Sequence, residues 1–290
     1  MLGLILLKTV FFPLGTGLAL GLLLLKKPQA QTVSICLVLP ALIVATYCFL
    51  EGFPSFPPVA AKEKLPLLII AGSAIFAIAA SRLSGHRTWL FLCLCLCTIA
   101  LLDILFLGQR VLFTNPSRVG LAIAVSVIVL LSSAAAARKI AQAGMVARLA
   151  YPTAAFAAMI SSALAAAFGA FVGMAQANGA VAALIGGVNI VFVLAGKRRE
   201  DGLYDLGYAS TLAFALALIP HFAMTALFAP KVPVAGLLLS AACFVTPVLA
   251  SYFAKPVLRL PHALAIIALG LLALVPAAGA AAVSSFSYSQ

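Results

Sequence analysis

The chain has 290 residues, of which 65% are hydrophobic and only 8% are charged, so water could not solvate its outer surface. Its 18 lysines and arginines against 6 acids give a net charge of +12, but these bases are scattered between apolar stretches and form no aromatic-interleaved stripe of the kind that binds nucleic acid. The composition therefore excludes a soluble domain and a nucleic-acid-binding module. It predicts an all-α, polytopic transmembrane helix bundle.

About ten apolar stretches are long enough to cross a bilayer, and charges and prolines mark their ends. The first is closed by Lys26 and Lys27 and lacks a small-residue cleavage pattern, which indicates a retained span. The second ends at a loop whose prolines, between Pro54 and Pro58, forbid a continuous helix. In chain order the predicted spans are about Leu2 to Leu25, Thr32 to Leu50, Leu65 to Leu83, Thr88 to Gly108, Val119 to Ala137, Tyr151 to Ala175, Ala180 to Gly196, Gly207 to Phe228, Val234 to Ala254 and Leu260 to Val283.

The distribution of basic residues predicts the orientation. Twelve lysines and arginines follow odd-numbered spans and five follow even-numbered spans. Because basic loops stay in the cytoplasm, this bias places both termini outside. It also provides contacts to anionic lipid head groups. A compact chain without a targeting extension favours a bacterial cytoplasmic (inner) membrane.

The span count suggests how the chain is organised. We expect residues 1–290 to form a single integral membrane domain, because no loop is long enough for a soluble unit. Five predicted spans precede the basic loop around Arg138 to Arg148 and five follow it. Halves of inverted topology, 1–145 and 146–290, would give this arrangement, although no residue-level similarity between them is visible.

Asp103 is the first of three ionisable groups predicted at membrane depth, where each is a candidate site; the others are His221 and Lys8. It lies about one turn from the end of its span. Arg110, seven residues on, would share its face of a continuous helix. The carboxylate is therefore either a structural partner of Arg110 or Gln109, or a site that binds a proton or a cation.

His221 is the second group, near the middle of the eighth span and directly after Pro220. At 100° per residue it shares an arc of about 100° with three hydroxyl side chains, forming a polar stripe on an apolar helix. Such a stripe faces other helices or a water-filled cavity. The imidazole is then either a gate or proton relay, or a core histidine satisfied by a neighbouring hydroxyl. The other members of the stripe are Ser210, Thr211 and Thr225.

Several smaller features predict helix packing. Asn189 is a candidate pathway residue, but its position beside small residues first indicates an interhelical hydrogen bond. The pairs Gly17 with Gly21 and Gly169 with Gly173 have the spacing of small-residue packing faces. Lys8 is close enough to the start of its span to reach the interface and anchor the helix there.

No catalytic residue, metal site or cofactor is predicted. Cys93 and Cys97 share a helix face, but no third ligand lies nearby in sequence. Asp201 and Asp205 could hold Mg²⁺ on a diphosphate, as in membrane prenyltransferases, yet that chemistry needs a second acidic motif that the chain lacks. The sequence therefore leans away from an enzyme.

The function that the sequence favours is a secondary transporter or permease for a small solute, bound near the midplane between the halves. Proline-interrupted spans and the His221 stripe support it. The alternative is a non-catalytic subunit or assembly factor of a larger membrane complex, in contact with other membrane subunits through small-residue faces. A closed, dry bundle with His221 packed and no polar cavity would favour this alternative over the transporter.

Overall fold

The computed structural model describes residues 2–26, 34–82, 88–140, 145–196, 208–252 and 262–289. Nearly all of these residues are helical, and no strand occurs within these ranges. The predicted all-α bundle is therefore confirmed. In chain order the helices are α1 (residues 2–26), α2 (residues 34–51), α3 (Ala61–Arg82), α4 (Thr88–Leu107), α5 (Gln109–Thr114), α6 (Pro116–Ile140), α7 (Met145–Phe168), α8 (Val172–Gly196), α9 (Tyr208–Phe228), α10 (residues 234–252) and α11 (His262–Ser289).

Nine of the described helices are long and apolar enough to cross a membrane, so the chain is a multi-pass membrane protein. The one predicted span that is not among these nine is the second, Thr32 to Leu50, which corresponds to α2 and has as its apolar part the shorter helix Ile35–Glu51. Its 18 residues from 34 to 51 extend about 27 Å, slightly less than the hydrocarbon core of about 30 Å. The remaining helix, α5, is a six-residue segment between α4 and α6.

Contacts between helix ends show that consecutive spans of the first half run antiparallel. The Tyr47 hydroxyl near the end of α2 donates to the Lys62 carbonyl at the start of α3, at 3.1 Å. The Lys64 ammonium then donates to the Phe106 carbonyl near the end of α4, at 3.4 Å. These ends belong to one surface of the bundle, here named the N-terminal face, which also contains the start of α1 beside Phe49.

The second half alternates in the same way. Ser133 near the end of α6 is hydrogen-bonded to Tyr151 near the start of α7, with 2.7 Å between their oxygens. A Cβ at Gly236 near the start of α10 would overlap Ser284 near the end of α11. The end of α11 therefore lies at the N-terminal face. The opposite surface, here named the basic face, carries Arg138 at the end of α6.

The helix α9 forms the centre of the bundle. Every residue from Ser210 to Leu227 is buried, whereas α1 is mostly exposed. α9 packs against α2, α3, α4 and α6 from the first half of the chain and touches α7, α8 and α10 from the second. α9 is thus enclosed on all sides by other helices, and its polar side chains are buried with its apolar ones. α9 belongs to the second predicted half but packs mainly against helices of the first half. The division into two halves stays a prediction.

The predicted bounds of the sixth and seventh spans are wrong. The sixth was expected to reach Ala175 and the seventh to begin at Ala180, but α7 ends at Phe168 and α8 begins at Val172. Between them the backbone turns through Ala170, which has a φ of 60°. The amides of Ala170 and Phe171 donate to the carbonyls of Ala167 and Ala166, which is a Schellman ending. The expected signal, a glycine at the left-handed position, is replaced by alanine.

The two glycine pairs behave differently. A Cβ at Gly17 would overlap the carbonyl oxygen of Leu184, and one at Gly21 would lie 2.8 Å from the Val191 Cβ, so this pair packs α1 against α8 as predicted. The pair Gly169 and Gly173 is not a face of one helix, because the turn separates them. That prediction is wrong for the same reason as the span bounds.

Candidate functional site

Four polar side chains from three helices form a hydrogen-bonded network in the buried centre of the bundle. Asn178 of α8 is the hub: its Nδ2 donates to the Ser162 Oγ of α7 at 2.9 Å and to the Thr225 Oγ1 of α9 at 3.2 Å. Its Oδ1 lies 3.0 Å from the His221 Nδ1. All four residues are 0% exposed. We name Ser162, Asn178, His221 and Thr225 the central network.

The hydrogen-bond directions fix the form of the imidazole. The Thr225 hydroxyl donates to the His221 carbonyl at 3.0 Å, so it can only accept from the Asn178 amide. The Asn178 Oδ1 is then an acceptor, and the His221 Nδ1 must carry a proton. In a neutral ring this leaves Nε2 as a bare acceptor. Nε2 is buried and has no hydrogen-bond partner in the described part of the chain.

The structure places the predicted polar stripe inside the bundle, but it does not bring all four members together. Ser210 and Thr211 are fully buried, like His221 and Thr225. They lie toward the other end of α9, since the 14 residues from Thr211 to Thr225 extend about 21 Å, or about four turns. The sequence also allowed a core histidine that is hydrogen-bonded to a neighbouring hydroxyl. The structure agrees with the first part of this alternative, because His221 is fully buried. Its side-chain partner, however, is the amide of Asn178 rather than a hydroxyl.

Asp103 lies on another side of α9. It is 3% exposed and makes no hydrogen bond or ion pair with any residue that the structure describes. Arg110 is exposed on the separate helix α5, because α4 ends at Leu107, so the two residues do not share a helix face. Pairing of Asp103 with Arg110 was one of the two alternatives considered from sequence, and the structure does not show it.

The relation of Asp103 to His221 follows from the contacts between α4 and α9. Tyr208 of α9 is hydrogen-bonded to Cys93 of α4, and Leu227 of α9 packs at Gly108 directly after α4. These contacts show that the two helices are parallel. At 100° per residue, the face of α9 between Tyr208 and Leu227 points about 170° away from His221. The two ionisable candidates are thus separated by the central helix.

Asn189 borders a different feature, an apolar groove of about 600 Å³ on the outside of α7 and α8. Its Nδ2 donates to the Pro152 carbonyl of α7 at 3.1 Å, which is the predicted interhelical hydrogen bond. Neither Asp103 nor His221 lines this groove. Its other lining residues are Val10, Leu14, Thr153, Phe156, Ile160, Gly179, Ala182, Ala183, Gly186, Ile190, Val193, Leu194 and Gly270.

The remaining candidates have structural partners. The Lys8 ammonium lies 5.2 Å from the centre of the Phe49 ring at the N-terminal face, as expected for an anchoring lysine. The Cys93 thiol lies 2.9 Å from the Tyr208 hydroxyl oxygen. Among the residues that the structure describes, no three histidine, cysteine or acidic side chains are grouped as metal ligands would be. Asp201 and Asp205 lie outside the described residues.

Two members of the central network, Asn178 and Ser162, were not predicted from the sequence. Asn178 was assigned to a loop, because the seventh span was expected to begin only at Ala180. Ser162 belongs to a predicted span, but a single uncharged serine in an apolar helix does not by itself indicate a site. A start of α8 at Val172 would have placed Asn178 one turn and a half inside the membrane, where an amide is a candidate site.

No protein family, curated protein or solved structure matches the chain.

Proposed function

We propose that the protein is a secondary transporter or permease for a small solute, and that the central network contacts the solute or the coupling proton. The observation that carries this proposal is the fully buried His221, joined to three other polar groups across three helices while its Nε2 has no partner in the described residues. Burying polar groups in a membrane bundle costs free energy, and apolar side chains could fill the same space. We therefore explain the presence of these four polar side chains in the bundle by a functional requirement.

The packing of α9 supports a way for the network to open. α9 contacts α6 along much of its length and also packs well on α3 and α4, but it touches α7 and α8 at few places. The central network lies at this sparse contact, which we name the α9 seam, between α9 and the pair α7 and α8. Helices that move as two groups would part most easily there. The conformation described here is closed at the seam, because His221 is 0% exposed.

The second candidate is a non-catalytic subunit or assembly factor of a larger membrane complex. It is favoured by two observations: the sealed state of His221, which fits a static core, and the exposed apolar groove with its small residues on α8. In this case the network would serve only to align three helices. The two candidates differ in whether the α9 seam opens.

Cysteine accessibility distinguishes these candidates. Thr225→Cys, in a background without the six native cysteines, places a thiol of similar size in the seam. A transporter exposes it in turn to each side, so a small impermeant thiol reagent should label it slowly both in intact cells and in inverted vesicles. Ala122→Cys on α6 is equally buried outside the network and should stay unlabelled. A thiol at residue 225 that neither preparation labels would overturn the transporter proposal in favour of the subunit.

For location we propose a bacterial cytoplasmic membrane with both termini outside. The loop charges support the sidedness. Arg82, Arg138 and Lys139 lie at the basic face, and the basic residues in the undescribed loops follow the same odd-numbered spans. Such a surface belongs in the cytoplasm.

A further inference from the structure

A small pocket with two cations lies where α6 and α10 end at the basic face. Its volume is about 350 Å³, and it is lined by Ala135, Arg138, Lys139, Val248 and Tyr252. The two basic residues are consecutive in the last turn of α6. They close one side of the pocket, while the aliphatic and aromatic side chains form the rest.

Both cations are held over aromatic rings. The Arg138 guanidinium carbon lies 4.5 Å from the centre of the Trp89 ring, and the Lys139 ammonium lies 4.8 Å from the centre of the Tyr252 ring. Trp89 is in turn fixed to the central helix, since its carbonyl accepts a hydrogen bond from the Tyr208 hydroxyl at 3.5 Å. Stacking on a ring orients a cation without using its N–H groups. The two charges are thus arranged before any ligand arrives, which lowers the entropic cost of binding.

The donors of this pair are available, unlike those of Lys62 and Arg118 at the N-terminal face. Lys62 forms an ion pair with Glu51 at 3.6 Å, and Arg118 donates to backbone carbonyls at and after the end of α9. Arg138 and Lys139 have no hydrogen bond or ion pair within the described ranges. A guanidinium with an adjacent ammonium and no acceptor fits an anionic oxygen group.

We propose that Arg138 and Lys139 bind the phosphate of an anionic phospholipid. The Arg138 fork can hold two phosphate oxygens, and Lys139 adds a second charge. Val248 and Ala135 then contact the apolar part of the lipid next to its head group. A lipid is favoured over a soluble phosphate because Trp89 and Tyr252, 38% and 67% exposed, lie at helix ends where aromatic residues meet the head groups. The site does not depend on the transporter proposal.

Trp89 allows a direct test, because it is the only tryptophan of the chain and lies beneath Arg138. The full-length protein is reconstituted in phosphatidylcholine vesicles, and phosphatidylglycerol or phosphatidylcholine with brominated acyl chains is titrated in as quencher. The anionic lipid should quench Trp89 with a binding constant at least about fivefold higher than the zwitterionic lipid. That factor corresponds to about 1 kcal/mol, the contribution of one basic residue at a membrane surface. Added NaCl should reduce the preference.

Matched variants assign the preference to this pair. Arg138→Gln with Lys139→Gln should abolish it, whereas the exchanged pair Arg138→Lys with Lys139→Arg should retain most of it. Lys62→Gln with Lys64→Gln removes the same charge at the N-terminal face and should leave the quenching unchanged. Equal quenching by both lipids in the unaltered protein, or a preference that survives the first double variant, would overturn the proposal. Loss of the preference on adding inorganic phosphate at constant ionic strength would assign the pocket to a soluble phosphate instead.

Discussion

The Nδ1 atom of His221 lies 3.0 Å from the Oδ1 atom of Asn178, and this contact ties α9 to α8 at membrane depth. Because α9 has few other contacts with α8, the pair contributes much of what aligns the two helices at that point. The direction of the hydrogen bond is fixed by Thr225, which uses its own proton on a backbone carbonyl. The contact is therefore one hydrogen bond, in which the His221 Nδ1 donates to the Asn178 Oδ1. Removing either side chain leaves the other without this partner.

A double-mutant cycle on His221→Ala and Asn178→Ala should measure this contact. Each single variant should lower the free energy of unfolding by about 1 to 3 kcal/mol, because it leaves a cavity and an unpaired polar partner. The coupling energy should be about 0.6 to 1.7 kcal/mol, the range of hydrogen bonds between membrane helices. Unfolding in detergent at one pH gives all four values.

Thr98→Ala serves as the control for this cycle. Its hydroxyl is on the exposed side of α4 and donates only to the Leu94 carbonyl of its own helix, at 2.9 Å. The free energy of unfolding should change by less than about 0.5 kcal/mol. Strictly additive effects of the two network variants would show that the contact between His221 and Asn178 contributes nothing to the folded state.

The central network shows how far sequence reasoning reached. The polar stripe on the eighth span was predicted, and its four members are buried, because period and composition suffice to find the inward face of a helix. Its partners were not predicted. Which side chain meets His221 depends on how α8 and α9 pack, and the start of α8 was hidden by a turn that has alanine at its left-handed position. Whether the stripe lines a pathway stays a prediction.

Asp103 should behave as a buried carboxyl group without a partner. Asp103→Leu should raise the free energy of unfolding by about 1 to 3 kcal/mol, because it removes a polar group whose desolvation is not compensated by any described residue. Thermal unfolding in detergent measures the change. Arg110→Ala should have no effect beyond about 0.5 kcal/mol, since Arg110 is exposed on α5. Equal losses in both variants would instead reveal the ion pair that the sequence suggested.

Gly17 should tolerate no side chain. In Gly17→Ala the new methyl group would overlap the Leu184 carbonyl oxygen, so α1 and α8 must separate, and the free energy of unfolding should fall by about 1 to 3 kcal/mol. Gly15→Ala is the matched control, because no atom lies within 4 Å of the added carbon. Its higher helix propensity should leave stability unchanged or raise it by up to about 1 kcal/mol. Similar losses at both positions would exclude the glycine face as the cause.

The positions of the spans could be predicted better than their contacts. Apolar runs bounded by charges, such as Ala61–Arg82, were placed within a few residues, because transfer of a charge into lipid is costly. The boundary between α7 and α8 was missed, since neither a charge nor a proline marks it. The position of α9 at the centre was also beyond prediction. The composition of α9 resembles that of the peripheral helices. Among the nine described spans, only the packing shows that α9 is the central one.

Arg118 should stabilise the end of the central helix. Its guanidinium donates to the carbonyls of Leu227, Ala229 and Pro230, which follow or end α9 and have no helical partner. Arg118→Ala should lower the free energy of unfolding by about 1.5 to 3 kcal/mol. Arg118→Lys should recover only part of this loss, because an ammonium keeps the charge at the helix C-terminus but lacks the planar fork. Full recovery by lysine would show that the charge alone stabilises the helix end.

Sidedness can be tested with cysteines at loop positions, in a background without the six native ones. Ser55 belongs to the loop after α2 at the N-terminal face, whereas Ala141 directly follows the end of α6 at the basic face. Ser55→Cys should be labelled by an impermeant thiol reagent added to intact cells. Ala141→Cys and Gly202→Cys should be protected, because the loops after odd-numbered spans, to which both positions belong, together carry twelve of the 18 basic residues. Permeabilised cells should label all three, which shows that each position can react.

The two possible failures of this experiment have different meanings. Labelling at residues 141 and 202 with protection at 55 would invert the orientation and leave the fold intact, because the relative positions follow from contacts between helix ends. Labelling at both 55 and 141 would contradict the fold itself. The three helices α3, α4 and α6 separate these positions, and an odd number of crossings must place them on opposite sides.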